Sequence, residues 1–350
     1  MQLRASGLAR PDDFVLRRPE DAVPSTISLR RDRRPFLSLL LLLGLVLGGC
    51  GGLDTVDDAA APTTTADAEF PVSVLSGSVG GDTEITVEQQ PTSIISLSPT
   101  ATEMLWAIGA GDQVVAVDDQ SDYPKDAPRT KLSGYEPNVE AILEYEPDLV
   151  IAADDTGDLV SGLAKARVPT LVLPSAADLE EAYSQIERVG AATGHADEAG
   201  EVVAETRSGI EQVIADAPDA AGVTYFHELT PDLYTTTGDT FIGEVYGLFG
   251  LENIADRAKG ADDYPQLSGE YVVGARPDLV FLADSQCCGV AAKDVEDRPG
   301  WAQVPAVTDG QVHVVDEDVA SRWGPRVLDF VQQIGIILEE RESALAGTGG

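Results

Sequence analysis

One phrase occurs twice in this chain. Asn138-Val139-Glu140-Ala141-Ile142-Leu143, closing on Pro147-Asp148-Leu149-Val150-Ile151, returns as Ser268-Gly269-Glu270-Tyr271-Val272-Val273, closing on Pro277-Asp278-Leu279-Val280-Phe281. Each copy reads as a capping side chain, a short helix, a Pro-Asp turn and an apolar run with the character of a buried parallel strand. A chain that repeats such a unit is built from two related α/β lobes. Glu140 and Glu270 stand two residues past their caps, on the first helical turn. The positive end of the helix dipole favours negative charge there, so each glutamate has a local reason to exist. A matched pair, one on each lobe, is also a two-pronged acidic contact for a symmetric partner.

The amino-terminal region sets the compartment. Arg30-Arg31-Asp32-Arg33-Arg34 precedes an apolar stretch over residues 36–47 that stops at Leu47-Gly48-Gly49-Cys50. A basic flank, an apolar segment too short to span a bilayer and small residues at its end make an export signal. Leu-x-Gly-Cys resembles the lipobox of bacterial lipoproteins, which makes Cys50 the lipidated residue. Arg33-Arg34-Pro35-Phe36-Leu37 also resembles a twin-arginine signal, although four clustered arginines readily contain such a string, so the export route stays open. Residues 1–49 therefore read as signal peptide. Residues 50–90 read as a lipidated flexible tether and lead-in, because Asp, Ala, Thr and Gly dominate until about Phe70 and cannot bury a core. The expected location is the extracytoplasmic face of the cell membrane, held there by the lipid on Cys50. A net charge of -37 excludes a nucleic-acid partner and repels anionic headgroups, leaving the lipid as the attachment.

Strand and helix signals alternate through the remainder. Residues 91–190 form the N-terminal lobe, with apolar strands at 94–98, 114–117, 150–151 and 170–173 and helices near 104–108 and 159–166. Between 177 and 217 there is no proline, and Gly194-His195 is the one break. Apolar residues at helical spacing in its later part make 191–218 a connecting helix. The C-terminal lobe, 219–345, has strands at 223–226 and 311–315, a helix at 241–249 and a terminal helix from about 325 to 340. This alternation implies parallel sheets covered on both faces. A stiff helix between lobes allows less movement than crossing strands would.

Several strings, taken in order, resemble the periplasmic binding proteins of ABC importers for vitamin B12, ferric siderophores and haem. They are Ser96-Leu97-Ser98-Pro99 with Thr102-Glu103, Ser121-Asp122-Tyr123-Pro124, Asn138-x-Glu140, the Pro147 run, Pro265-Gln266-x-Ser268-x-Glu270, and Ser321-Arg322 with Gly324-Pro325-Arg326. The resemblance spans residues 94–338. It implies two Rossmann-like lobes joined by a long rigid α-helix, with the ligand cleft between them. It also implies that Glu140 and Glu270 dock onto arginines of a dimeric permease, which works with its ATPase subunits. The binding protein itself is expected to be a monomer, to perform no catalysis and to carry no cofactor, the metal arriving inside a chelate. Ser121-Asp122-Tyr123-Pro124 and Tyr264-Pro265-Gln266 look most like the cobalamin branch, although Ala153 stands where that branch tends to place a tryptophan. A sensing lipoprotein without a permease and a two-lobed chelate-processing enzyme are the alternatives.

Ligands of open α/β sheets sit beyond the carboxyl ends of the strands. The loops there supply Tyr123, Tyr135, Tyr234, Tyr264 and Trp323, whose rings suit a corrin or porphyrin, and Arg322, whose fork suits acidic oxygens. His227 directly follows a strand and is a candidate axial or hydrogen-bonding contact. His195 and His313 read as solvated and structural. No set of histidines converges as a bare zinc or manganese site would need. Cys287-Cys288 are either a vicinal disulfide, as expected outside the cytoplasm, or two small buried thiols.

Overall fold

The computed structural model describes residues 70–77, 83–260 and 262–348. The signal peptide, Cys50 and the tether as far as residue 69 lie outside the described residues. β1 (Val72–Ser76) and β2 (Thr83–Val87) pair antiparallel, Val72 opposite Val87. The lead-in before residue 90 thus contains a hairpin that the sequence reading did not anticipate. Val72-x-Val74 and Ile85-x-Val87 alternate with the period of a strand, and buried Val74 and Val87 anchor the hairpin. Gly77 N–H donates to the Val172 carbonyl at 2.8 Å, and Arg188 donates to the Gly77 carbonyl at 2.6 Å, tying the hairpin to the first lobe.

The first lobe contains β3 (Ile94–Leu97), α1 (Pro99–Ala107), β4 (Val114–Val117), α2 (Val139–Leu143), β5 (Leu149–Ala152), α3 (Leu159–Lys165) and β6 (Thr170–Val172). Helices α4 (Leu179–Thr193) and α5 (Ala196–Asp216) follow. The second lobe begins with β7 (Thr224–Glu228), α6 (Phe241–Gly247), β8 (Glu252–Asn253), α7 (Gly269–Ala275) and β9 (Leu279–Leu282). It continues through α8 (Ser285–Cys288), α9 (Ala292–Glu296), α10 (Pro305–Thr308), β10 (Val312–Val314), α11 (Glu317–Ser321) and α12 (Val327–Thr348).

Both four-stranded sheets are parallel, ordered β4-β3-β5-β6 and β8-β7-β9-β10. Counted within each lobe, both orders are 2-1-3-4. The duplication seen in one phrase thus extends to the whole lobe, and its residues do the same work twice. Asn138 and Ser268 cap α2 and α7 by accepting from the backbone N–H three residues on. Asp148 accepts from Thr92 N–H at 2.8 Å and Asp278 from Thr224 N–H at 2.9 Å, so each repeat aspartate pins the start of the neighbouring first strand. Glu146 and Arg276, the residues before the two prolines, both take φ above 50°; Arg276 is the left-handed cap of α7, and Glu146 lies two residues past the cap of α2.

The break at Gly194, where φ is 81°, divides the connecting region. Residues 191–193 finish α4, and α5 carries the chain from 196 to 216. One apolar core then runs through both lobes. It joins Ile94 and Met104 of the first lobe to Tyr225 and Phe281 of the second, through Ile186 of α4, Ile210 of α5 and Phe330 of α12. The outer faces of the two sheets have their own smaller cores, around Ile142 and Leu163 and around Val272 and Trp301. A Cβ at Gly209 would come within 2.7 Å of Leu328, which shows how closely α5 meets α12. Lobes that share a packed core are held in one arrangement more firmly than a single helix could hold them.

Candidate functional site

A cavity of about 400 Å³ lies at the carboxyl ends of β3, β4 and β5. Its volume is within the range of small-molecule sites. In a 2-1-3-4 sheet the chain reverses its direction of travel between strands 1 and 3, and the loops after β3 and β5 part there to leave a crevice. Ser98, Asp118, Tyr135 and Asp154 line it from the first lobe, and Asp318, Arg322 and Trp323 close it from the second. A second cavity, of about 270 Å³, occupies the equivalent crevice at the ends of β7 and β9. His227, Ala283, Cys287 and Glu317 are among its walls, and it shares Asp318 and Ser321 with the first. The two recesses, one at the strand ends of each lobe, therefore share a wall at Asp318 and Ser321.

Arg322 corrects one expectation. It lines the cleft but has no fork free for a ligand, because three carboxylates occupy it. Nη1 donates to Glu103 at 2.8 Å, and Nη2 donates to Asp318 at 2.7 Å and to Asp122 at 3.1 Å. Arg326 adds a further bond to Glu103 at 3.1 Å. Glu103 belongs to α1 and both arginines to the second lobe, so the cluster fastens one lobe to the other. Burial raises the Glu103 pKa, with the two arginines opposing it. Beneath this cluster Ser121 Oγ donates to Asp118 at 2.5 Å and lies 2.9 Å from the Thr102 hydroxyl, holding the first-lobe loops in register.

The aromatic candidates divide. Tyr135, 78% exposed, and Trp323 line the main cavity, and Trp323 Nε1–H donates to Gln185 at 2.7 Å. Tyr123, Tyr234 and Tyr264 are exposed but line neither cavity. The Tyr123 ring instead carries the Arg326 guanidinium 4.2 Å from its centre, and Tyr234 bridges to Gln266. His227 is not a loop residue, since β7 runs on to Glu228. It is fully buried, with Nδ1 2.9 Å from the Tyr246 hydroxyl and Nε2 without a partner among the described residues. Burial takes its pKa down to about 3, so the ring is neutral. Cys287 and Cys288 form a disulfide beside it, on α8. His195 lies in the turn between α4 and α5, and His313 on β10. Among the described residues no group of three or more His, Cys, Asp or Glu is placed to hold a metal ion.

Sequence reasoning missed Asp318 and Glu317. Asp318 had a signal, its position one helical turn before Arg322. It also missed Asp284 and Arg298, which stand with Glu228 behind the second recess. Arg298 grips Glu228 through both guanidinium nitrogens, while the buried carboxylate of Asp284 has no hydrogen-bond partner among the described residues. Burial first, and Glu228 second, push Asp284 up to about 7 from an ordinary 3.8. A raised folded-state value means that ionisation penalises the folded protein. The penalty is absent below the unfolded value and fully present above the folded one. Asp284→Asn is therefore expected to stabilise the protein by ~1–3 kcal/mol at pH 8 and by nothing measurable near pH 4. Urea unfolding at the two pH values checks this, and a benefit equal at both would refute it.

Glu140 and Glu270 are exposed on the first turns of α2 and α7, and neither makes an ion pair among the described residues. Helices that cross back between parallel strands begin at the strands' carboxyl edge, so both glutamates stand at the cleft end of their lobes.

Duplicated parallel lobes, one shared core and a cleft at the strand ends define a two-lobed binding protein. Residues 94–319 match the periplasmic binding protein family, and the chain belongs to it. It is 31% identical over 314 residues to an uncharacterised ABC transporter substrate-binding lipoprotein of Bacillus subtilis, YvrC, covering 87% of this chain and 96% of that one. A cobalamin-binding protein of Halobacterium salinarum is 29% identical, over 77% of this chain and 75% of its own length. Among solved structures, the periplasmic vitamin B12 binding protein BtuF of Vibrio cholerae superposes with a TM-score of 0.61 at 27% identity, over 72% of this chain and 98% of that one.

Proposed function

We propose that this chain is the extracytoplasmic, lipid-anchored binding component of an ABC importer, which captures a metal chelate and delivers it to a permease dimer served by ATPase subunits. The cleft shared by two lobes of identical topology carries this reading, because each lobe contributes one recess and one exposed first-turn glutamate. Cobalamin is the preferred cargo, ahead of haem or a ferric siderophore, and two of the relatives named above bind cobalamin by name. The metal enters within the chelate, so the protein needs no metal site of its own. Attachment runs through the lipid on Cys50, and the binding protein works as a monomer.

Trp323 on the cleft wall provides the readout. The soluble form beginning after Cys50 is titrated with cyanocobalamin, haemin and a ferric siderophore. At least one chelate is expected to quench its fluorescence at a stoichiometry of about one and a Kd of ~1 μM or tighter, while free zinc and manganese ions leave it unchanged. Quenching by the free ions, or by none of the chelates, would contradict the reading.

A further inference from the structure

The second-lobe recess has an unusual set of walls. His227 presents a buried Nε2 with no partner among the described residues, its other nitrogen being occupied by the Tyr246 hydroxyl. A buried polar atom left unpaired is a standing cost, and native proteins meet it with a partner. The half-buried carboxylates of Glu317 and Asp318, at the start of α11, also line the recess, Glu317 accepting from Gln286 N–H at 3.2 Å. The rest of the lining is largely apolar, including Leu229, Ile242 and Ala320, and contains neither lysine nor arginine. Arg322, the nearest candidate cation, is already shared among Glu103, Asp122 and Asp318.

We propose that this recess selects the cargo by charge, seating an uncharged carboxamide arm of the chelate and rejecting a carboxylate arm. The inference rests on the chelate-binding reading above and adds to it the class of chelate and the residues that choose it. A primary amide offers what these walls lack. Its N–H groups donate to the carboxylates of Glu317 and Asp318, and its carbonyl accepts from Nε2–H of His227 in the tautomer whose Nδ1 accepts from Tyr246. A carboxylate in the same place would be desolvated beside the Glu317 and Asp318 carboxylates, with only the neutral His227 imidazole and the Ser321 hydroxyl to donate to it. Asp318 and Ser321 line both cavities, so an arm reaching into the recess belongs to a chelate whose body fills the main cavity.

The test compares matched ligands on the full-length chain in detergent. Cyanocobalamin is set against its monocarboxylic acids, in which one carboxamide is hydrolysed. Cyanocobalamin is expected to bind at least ~10-fold tighter than at least one of its monocarboxylate isomers. Glu317→Gln, which keeps the shape of the side chain but removes its charge, is expected to weaken binding of the uncharged ligand, strengthen binding of the anionic one and so narrow that gap to under ~3-fold. The proposal is overturned if anionic and uncharged members bind alike, if the anionic members bind tighter, or if Glu317→Gln leaves the gap unchanged. Binding without charge discrimination sinks only this inference. If no chelate binds at all, the importer reading falls first and takes the inference with it.

Discussion

Arg322→Met is expected to cost about 3–5 kcal/mol of folding stability, the usual result of removing one partner from a buried ion pair. Glu103 is 3% exposed, and the substitution leaves Arg326 as its sole cationic partner. Asp318 and Asp122 lose their guanidinium at the same time. The double variant Glu103→Gln with Arg322→Met removes the stranded charge as well as the cation, so it is expected to recover part of the loss. That coupling is what distinguishes a shared buried cluster from two unrelated defects. Denaturant melts of the two single variants and the double variant measure it. Additive effects, or a loss below ~1 kcal/mol for Arg322→Met, would mean that solvent screens the cluster.

Glu140→Ala combined with Glu270→Ala is expected to reduce cargo uptake by cells about 10-fold while the cargo Kd of the purified protein changes less than about twofold. Both side chains are exposed, so the folded protein and its cleft should not notice their loss. An exposed ion pair contributes about 0.2–1 kcal/mol. Two acting together on a two-fold partner approach the 1.4 kcal/mol of a tenfold effect, and they also set the orientation of docking. Each single variant should show a smaller loss. An unchanged uptake rate would remove the docking role, and a weakened cargo Kd would place these glutamates in the cleft instead.

The duplicated phrase was legible because everything it encodes is local. Asn138 and Ser268 cap the helix that begins beside them, and the aspartate of each Pro-Asp turn reaches the strand next door. The Gly194-His195 break was legible for the same reason. The β1–β2 hairpin was not, because its two short alternating runs sit in a stretch whose average composition resembles a linker. Arg322 illustrates the harder limit. Its partner Glu103 is 219 positions away, and nothing near either residue announces the pairing. Loop membership was readable for Tyr123, Tyr234 and Tyr264, but the direction of their rings depends on neighbours such as Arg326 that only the fold supplies. His227 was read as a residue after the strand because the polar pair His227-Glu228 looks like a loop. Its burial follows from Tyr246 and Arg298, which partner that pair from α6 and from beyond α9.

Hydrogen exchange with and without bound chelate tests the central claim most directly, because it asks where the cargo sits without presuming which residue holds it. The account predicts new protection in both lobes at once, over residues 97–100, 118–120 and 153–154 of the first and 317–323 of the second, with α5 unchanged. Protection confined to one lobe, or centred on a surface away from the strand ends, would contradict a cargo held between duplicated lobes.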